Sequence, residues 1–138
     1  MRTQSEARKP GDLLRQPGEA SKQVVKLFAY GNLKPGELLY PAATLRATPD
    51  AVRGTLWNHP SQSEPLLTDL GKGTWVDGYI LELPVAELRK IDLSELKSQY
   101  IRMPAVTQRG EEVTVYLWYK KVPPDARRIA KWTRQSTK

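Results

Sequence analysis

Val24-Val25-Lys26-Leu27-Phe28-Ala29-Tyr30-Gly31-Asn32-Leu33-Lys34-Pro35-Gly36 is the stretch on which the reading of this chain turns. Its first seven residues are mostly β-branched, aliphatic or aromatic, which predicts a buried strand that stops at Gly31. Asn32, Pro35 and Gly36 are turn residues. A glycine directly after a buried strand lets the backbone fold into a concave nest of N–H groups, which suits a carboxylate or a phosphate. The Gly-Lys-Ser/Thr of a nucleotide-binding loop is missing. Turns of this composition are common, so a plain tight connection fits the same residues.

Outward from this strand, the pattern stays mixed. Ala51–Trp57, Thr74–Leu83, Ile101–Thr107 and Val113–Tyr119 read as strands, the last with clear period-two alternation. Asn58 to Lys72 is polar and rich in turn residues. Pro84 suits the start of a helix ending near Ser94–Ser98, with Val85, Leu88, Ile91 and Leu96 as its apolar stripe. Pro123-Pro124 breaks the last strand, and Ala126–Trp132 predicts a short basic helix. There is no internal repeat. The expected fold class is α+β, a small and mainly antiparallel β-barrel flanked by a few helices.

A chain of 138 residues fits one domain. Residues 1–23 are rich in polar residues, Pro and Gly without an apolar period, and are expected to be disordered. The domain is expected over 24–120, followed by a basic tail at 121–138. No apolar run approaches the roughly 20 residues that span a bilayer, and the N-terminal residues lack the apolar block of a secretory signal. A soluble, cytoplasmic protein is expected.

The net charge of +7 at first suggests a nucleic-acid partner. However, residues 120–138 hold seven Lys/Arg against Asp125 alone, and residues 24–119 are close to neutral. Any weak contact with an anion would therefore belong to the tail. Cysteine is absent and His59 is the single histidine. These counts exclude thiol catalysis and argue against a metal site, so no metal is expected. His59, beside Pro60, reads as a turn residue. If the chain is an enzyme, carboxylates must move its protons.

Leu27–Gly36 resembles the opening motif of the gamma-glutamylcyclotransferase-like (AIG2-like) family, with Asn32 where Thr or Ser is more usual. The resemblance continues in order through Val52-Arg53-Gly54-Thr55-Leu56-Trp57, Val76–Leu83, Leu88-Arg89-Lys90-Ile91-Asp92-Leu93-Ser94-Glu95, Tyr100-Ile101-Arg102 and Val115–Tyr119. It implies a loop, Tyr30, Gly31, Asn32 and Leu33, that holds a γ-glutamyl carboxylate, and a general acid/base at Glu95. Tyr100 and Arg102 are further candidates for holding substrate. The implied reaction closes the γ-glutamyl group into 5-oxoproline and frees an amine, with no cofactor.

The chain also departs from the family pattern around Glu95. Leu96 follows it where glycine is common, the spacing from Glu95 to Tyr100 is shortened, and Ser94 stands where an apolar residue is common. Glu82 and Glu87 are the alternative carboxylates. Two other readings compete, a non-catalytic ligand-binding or regulatory module of the same fold, and an anion-binding adaptor working through the tail. The amine half of the substrate and the oligomeric state are not legible in the sequence.

Overall fold

A computed structural model describes residues 23–59 and 64–130. In chain order the elements are β1 (Val24–Ala29), β2 (Arg46–Asn58), β3 (Leu66–Thr68), β4 (Thr74–Pro84), α1 (Val85–Lys97), β5 (Tyr100–Val106), β6 (Glu112–Trp118) and β7 (Arg127–Ile129). The strands form one curled sheet in the order β3-β2-β4-β1-β6-β5, with β7 paired to β2. Every pairing is antiparallel except β1 with β6, which run parallel at Leu27↔Thr114 and Phe28↔Val115. This is the expected α+β, mainly antiparallel architecture. It carries one helix rather than several among the described residues.

The period of β1 sorts its side chains onto two faces. Leu27 and Ala29 join Leu81, Leu83, Leu88, Ile91, Tyr100, Tyr116 and Trp118 beneath α1. Phe28 and Tyr30 join Val52, Leu56, Leu67, Val76, Ile80, Val113 and Val115 inside the curl. With both faces covered, β1 is the central staple of the molecule. Gly78 on the neighbouring strand permits this, because a Cβ there would lie 2.7 Å from the Phe28 ring and 2.3 Å from the Ala29 carbonyl oxygen.

Three expectations change. First, the polar stretch before Lys72 contains a short buried strand, β3, in which Leu66 and Leu67 are fully enclosed. Second, the basic helix predicted over Ala126–Trp132 is instead β7, paired with β2 at Leu56↔Ile129, so the sheet extends past residue 120. Residues 131–138 lie outside the described residues, as does the expected disordered segment apart from Gln23. Third, β2 begins at Arg46 rather than Ala51 and includes Pro49. Before Thr55 its only ladder is with β4, and proline is tolerated on such an edge. His59 meets Asp125 at 2.7 Å, linking the end of β2 to the approach to β7. No helix of the described residues is long and apolar enough to cross a membrane.

Candidate active site

The loop after β1 is shaped by backbone bonds of its own. Lys34 N–H donates to Gly31 O, Glu37 N–H to Lys34 O and Leu39 N–H to Asn32 O, each at 3.0 Å. The amides of Gly31 and Leu33 donate to no backbone carbonyl among the described residues. Leu33 inserts into the core with Ile91 and Tyr100, which pins the loop against α1 and β5. Gly31 lies against the ring of Pro65, where a Cβ would be 2.7 Å from Cδ.

Helix α1 brings the carboxylate. Its buried positions are Leu88, Ile91 and Glu95, spaced by three and four residues, so Glu95 continues the apolar stripe onto the sheet. The sequence reading gave that place to Leu96, which instead is 58% exposed, while Glu95 is 4% exposed. The Glu95 carboxylate makes no hydrogen bond or ion pair among the described residues. Of the alternatives, Glu82 lies on β4 and Glu87 in the first turn of α1, and neither is buried.

Burial sets the electrostatics. Removal from water pushes the Glu95 carboxyl from 4.5 up to about 8, and the negative charges of Glu64 and Asp92 add to the shift. Burial likewise raises Glu64. Tyr30, Tyr100 and Tyr116 are all raised above the usual phenol range, chiefly by burial, and all three feel Glu95. The phenols therefore stay neutral.

The expected substrate tyrosines spend their hydroxyls on the protein. Tyr30 donates to the carbonyl of Tyr116. Tyr100 donates to the carbonyl of Pro65 at 2.7 Å and packs edge-on against Trp118, with ring centroids 5.6 Å apart. Arg102 holds Asp92 at 3.1 Å, and Tyr116 donates to the other oxygen of Asp92 at 2.6 Å. Among the candidates, Tyr30, Tyr100 and Glu95 thus share one region, adjoined by Gly31 and Leu33. Arg102 reaches it through Asp92. Asn32 is buried in the same loop.

Glu64 is the residue that sequence reasoning missed. It lies in a polar stretch with no motif around it. Pro65, Leu66 and Leu67, which follow it, are fully buried, and Glu64 itself is half-buried.

Two cavities lie close by. One of about 340 Å³ is lined by Lys34, Asp50, Asp77, Gly78, Tyr79 and Arg109. The other, of about 520 Å³, is bordered by Val25, Leu88 and Arg102. Neither is lined by Glu95. No cluster of three or more potential metal ligands occurs among the described residues.

A curled mixed sheet with a helix crossing it, and a buried glutamate beside the loop of the central strand, defines a small AIG2-like domain. The model of the family "Gamma-glutamyl cyclotransferase, AIG2-like" matches residues 27–134, and the chain belongs to that family. Solved structures with the same fold include an AIG2-like protein from Mus musculus, at 22% identity and a TM-score of 0.66 over 80% of this chain and 89% of that one. A uropathogenic E. coli-specific protein superposes with a TM-score of 0.65 at 23% identity, over 78% of this chain and 89% of that one. Allophanate hydrolase from Kluyveromyces lactis has a TM-score of 0.65 at 14% identity, over 83% of this chain and 21% of the larger protein. At such identities these likenesses concern the fold alone. No curated protein matches the sequence.

Proposed function

We propose that the protein is a cyclotransferase that converts a γ-glutamyl amine or γ-glutamyl amino acid into 5-oxoproline and a free amine. The observation that carries this reading is Glu95, a buried carboxylate without a partner among the described residues, raised to about 8 and close enough to Tyr30 of the loop for its charge to be felt there. Its membership of a family named for γ-glutamyl cyclisation supports the choice of substrate.

The chemistry needs little beyond these groups. The α-amine of the substrate attacks its own γ-carbonyl carbon, forming the lactam C–N bond. The bond from that carbon to the leaving amine then breaks. Counted from the α-ammonium form, two protons leave the attacking nitrogen, one before attack and one as the lactam forms, and both end on the departing amine as its ammonium, with no net water and no covalent enzyme intermediate. Glu95 carries a proton from the attacking to the leaving nitrogen. A carboxyl near 8 is a stronger base than an ordinary glutamate and remains a competent acid near neutrality. The amides of Gly31 and Leu33 hold the substrate's carboxylate, so the flexible glutamyl chain is kept folded for attack. Tyr30 and Tyr100 wall the site and exclude water, while Arg102 holds Asp92 away from the reaction.

The test is a mass-spectrometric search for 5-oxoproline after incubating γ-glutamyl compounds with the wild type and with Glu95→Gln. Product from the wild type alone is the expected result. Its absence from the folded wild type across the panel overturns the reading and favours a non-catalytic ligand-binding domain. We propose further that the protein acts in the cytoplasm.

A further inference from the structure

Glu95 is not the only partly buried carboxylate in this region. Glu64 is half-buried, and its charge acts on Tyr30, Tyr100 and Glu95 alike. Its place is fixed by the residue that follows. Pro65 is held from one side by the Tyr100 hydroxyl and pressed from the other against Gly31 of the loop. Leu66 is sunk into the same core as Leu33, Ile91 and Tyr100. Glu64 is therefore followed by residues packed at the junction of loop, helix and β5.

Two like charges in a shielded space are unfavourable unless a cation joins them. Asp92 has Arg102 for that purpose. Glu64 and Glu95 have no cation and no hydrogen bond among the described residues, although Glu95 is 4% exposed. A carboxylate so deeply buried, with no partner among the described residues, points to a donor that comes with the ligand.

We propose that Glu64 and Glu95 together receive the α-ammonium group of the γ-glutamyl moiety, Glu64 holding the nitrogen while Glu95 removes its proton. This rests on the cyclotransferase reading. It gives the site a means of telling an α-amino acid from its des-amino counterpart before any chemistry. It also explains why the recognised part of the substrate needs no basic side chain at this end. Glu64 keeps the nitrogen close once it is neutral, as an acceptor for a remaining N–H.

The test uses L-glutamine, the smallest γ-glutamyl amide, and glutaramic acid, which is identical but lacks the α-amine. Both are titrated by calorimetry into Glu95→Gln, which removes turnover, and into Glu95→Gln/Glu64→Gln. We expect the single variant to bind L-glutamine at least about tenfold tighter than glutaramic acid, which corresponds to about 1.4 kcal/mol. Adding Glu64→Gln should abolish that preference while leaving glutaramic acid binding unchanged, and Glu64→Asp in its place should keep part of it. Retained glutaramic acid binding shows that the double variant is folded.

A preference that survives in the double variant, no preference in the single variant, or no binding of either compound overturns the assignment. The two ideas fail separately. If the wild type forms 5-oxoproline but Glu64 has no effect on the preference, only the ammonium site falls. If the preference depends on Glu64 but no γ-glutamyl compound is cyclised, the catalytic reading falls and the ammonium site stands.

Discussion

The hydroxyl of Tyr100 donates to the main-chain carbonyl of Pro65 at 2.7 Å, a bond spanning 35 residues that ties β5 to the segment carrying Glu64. Both partners are buried. Tyr100→Phe leaves that carbonyl unsatisfied, which should cost about 1–2 kcal/mol. Urea unfolding measures this directly. Because the displaced segment borders the site, kcat/KM should fall as well.

Gly31 offers a sharper probe of the same contact. A methyl group there meets the Pro65 ring at 2.7 Å, and Pro65 is fully buried with its carbonyl held by Tyr100, so it has little room to retreat. Gly31→Ala should destabilise the protein by roughly 1–3 kcal/mol through overpacking. It should also reduce turnover more than it raises the unfolded fraction, since the loop amides shift with it. Comparing activity per folded molecule, from circular dichroism and product formation, separates the two effects.

The pH dependence follows from Glu95. Its carboxyl titrates at about 8 in the folded protein against 4.5 without burial, so ionisation disfavours the fold. Below pH 4.5 both states are protonated and there is no penalty. Stability then falls as pH rises toward 8, and the penalty is complete above it. Glu95→Gln should thus be neutral at pH 4 and stabilising by on the order of 5 kcal/mol at pH 9. Denaturant midpoints at the two pH values check the sign.

Activity should show the opposite slope. A general base works ionised, so kcat/KM of the wild type should rise about tenfold per pH unit below about 8 and level off above it. Arg102→Gln leaves Asp92 without its cation and should move this rising limb to higher pH. Glu64→Gln removes a neighbouring negative charge and should move it lower. A limb that stays fixed in both variants would refute this account of the shift.

Much of the fold was legible because its long strands carry their own signals. The β1 run into Gly31, the alternation of β6 and the proline at the start of α1 all read locally. What escaped was decided by partners. The three residues of β3 are too short for a period and become a strand only by pairing with Thr55–Trp57. The Arg127–Ile129 segment looks basic and helical until it meets the open edge of β2.

The site divides in the same way. Glu95 was picked out through a motif, yet the stripe of α1 was assigned to Leu96, since a helical pattern favours the apolar neighbour over the charge. Glu64 gave no signal at all. Its neighbourhood exists only after Pro65 has been clamped between Gly31 and Tyr100.

The parallel ladder of β1 against β6 bears on how the protein is made. The strand that runs into the Tyr30–Leu33 loop is synthesised well before its partner at Thr114 and Val115, and before Tyr116, whose carbonyl receives the Tyr30 hydroxyl. Contacts so distant along the chain close slowly, and they cannot close on the ribosome until almost the whole domain has emerged. Until β6 has emerged, Leu27 and Phe28 lack the strand they pair with on that side. The central strand is then the segment most exposed to self-association and to capture by chaperones.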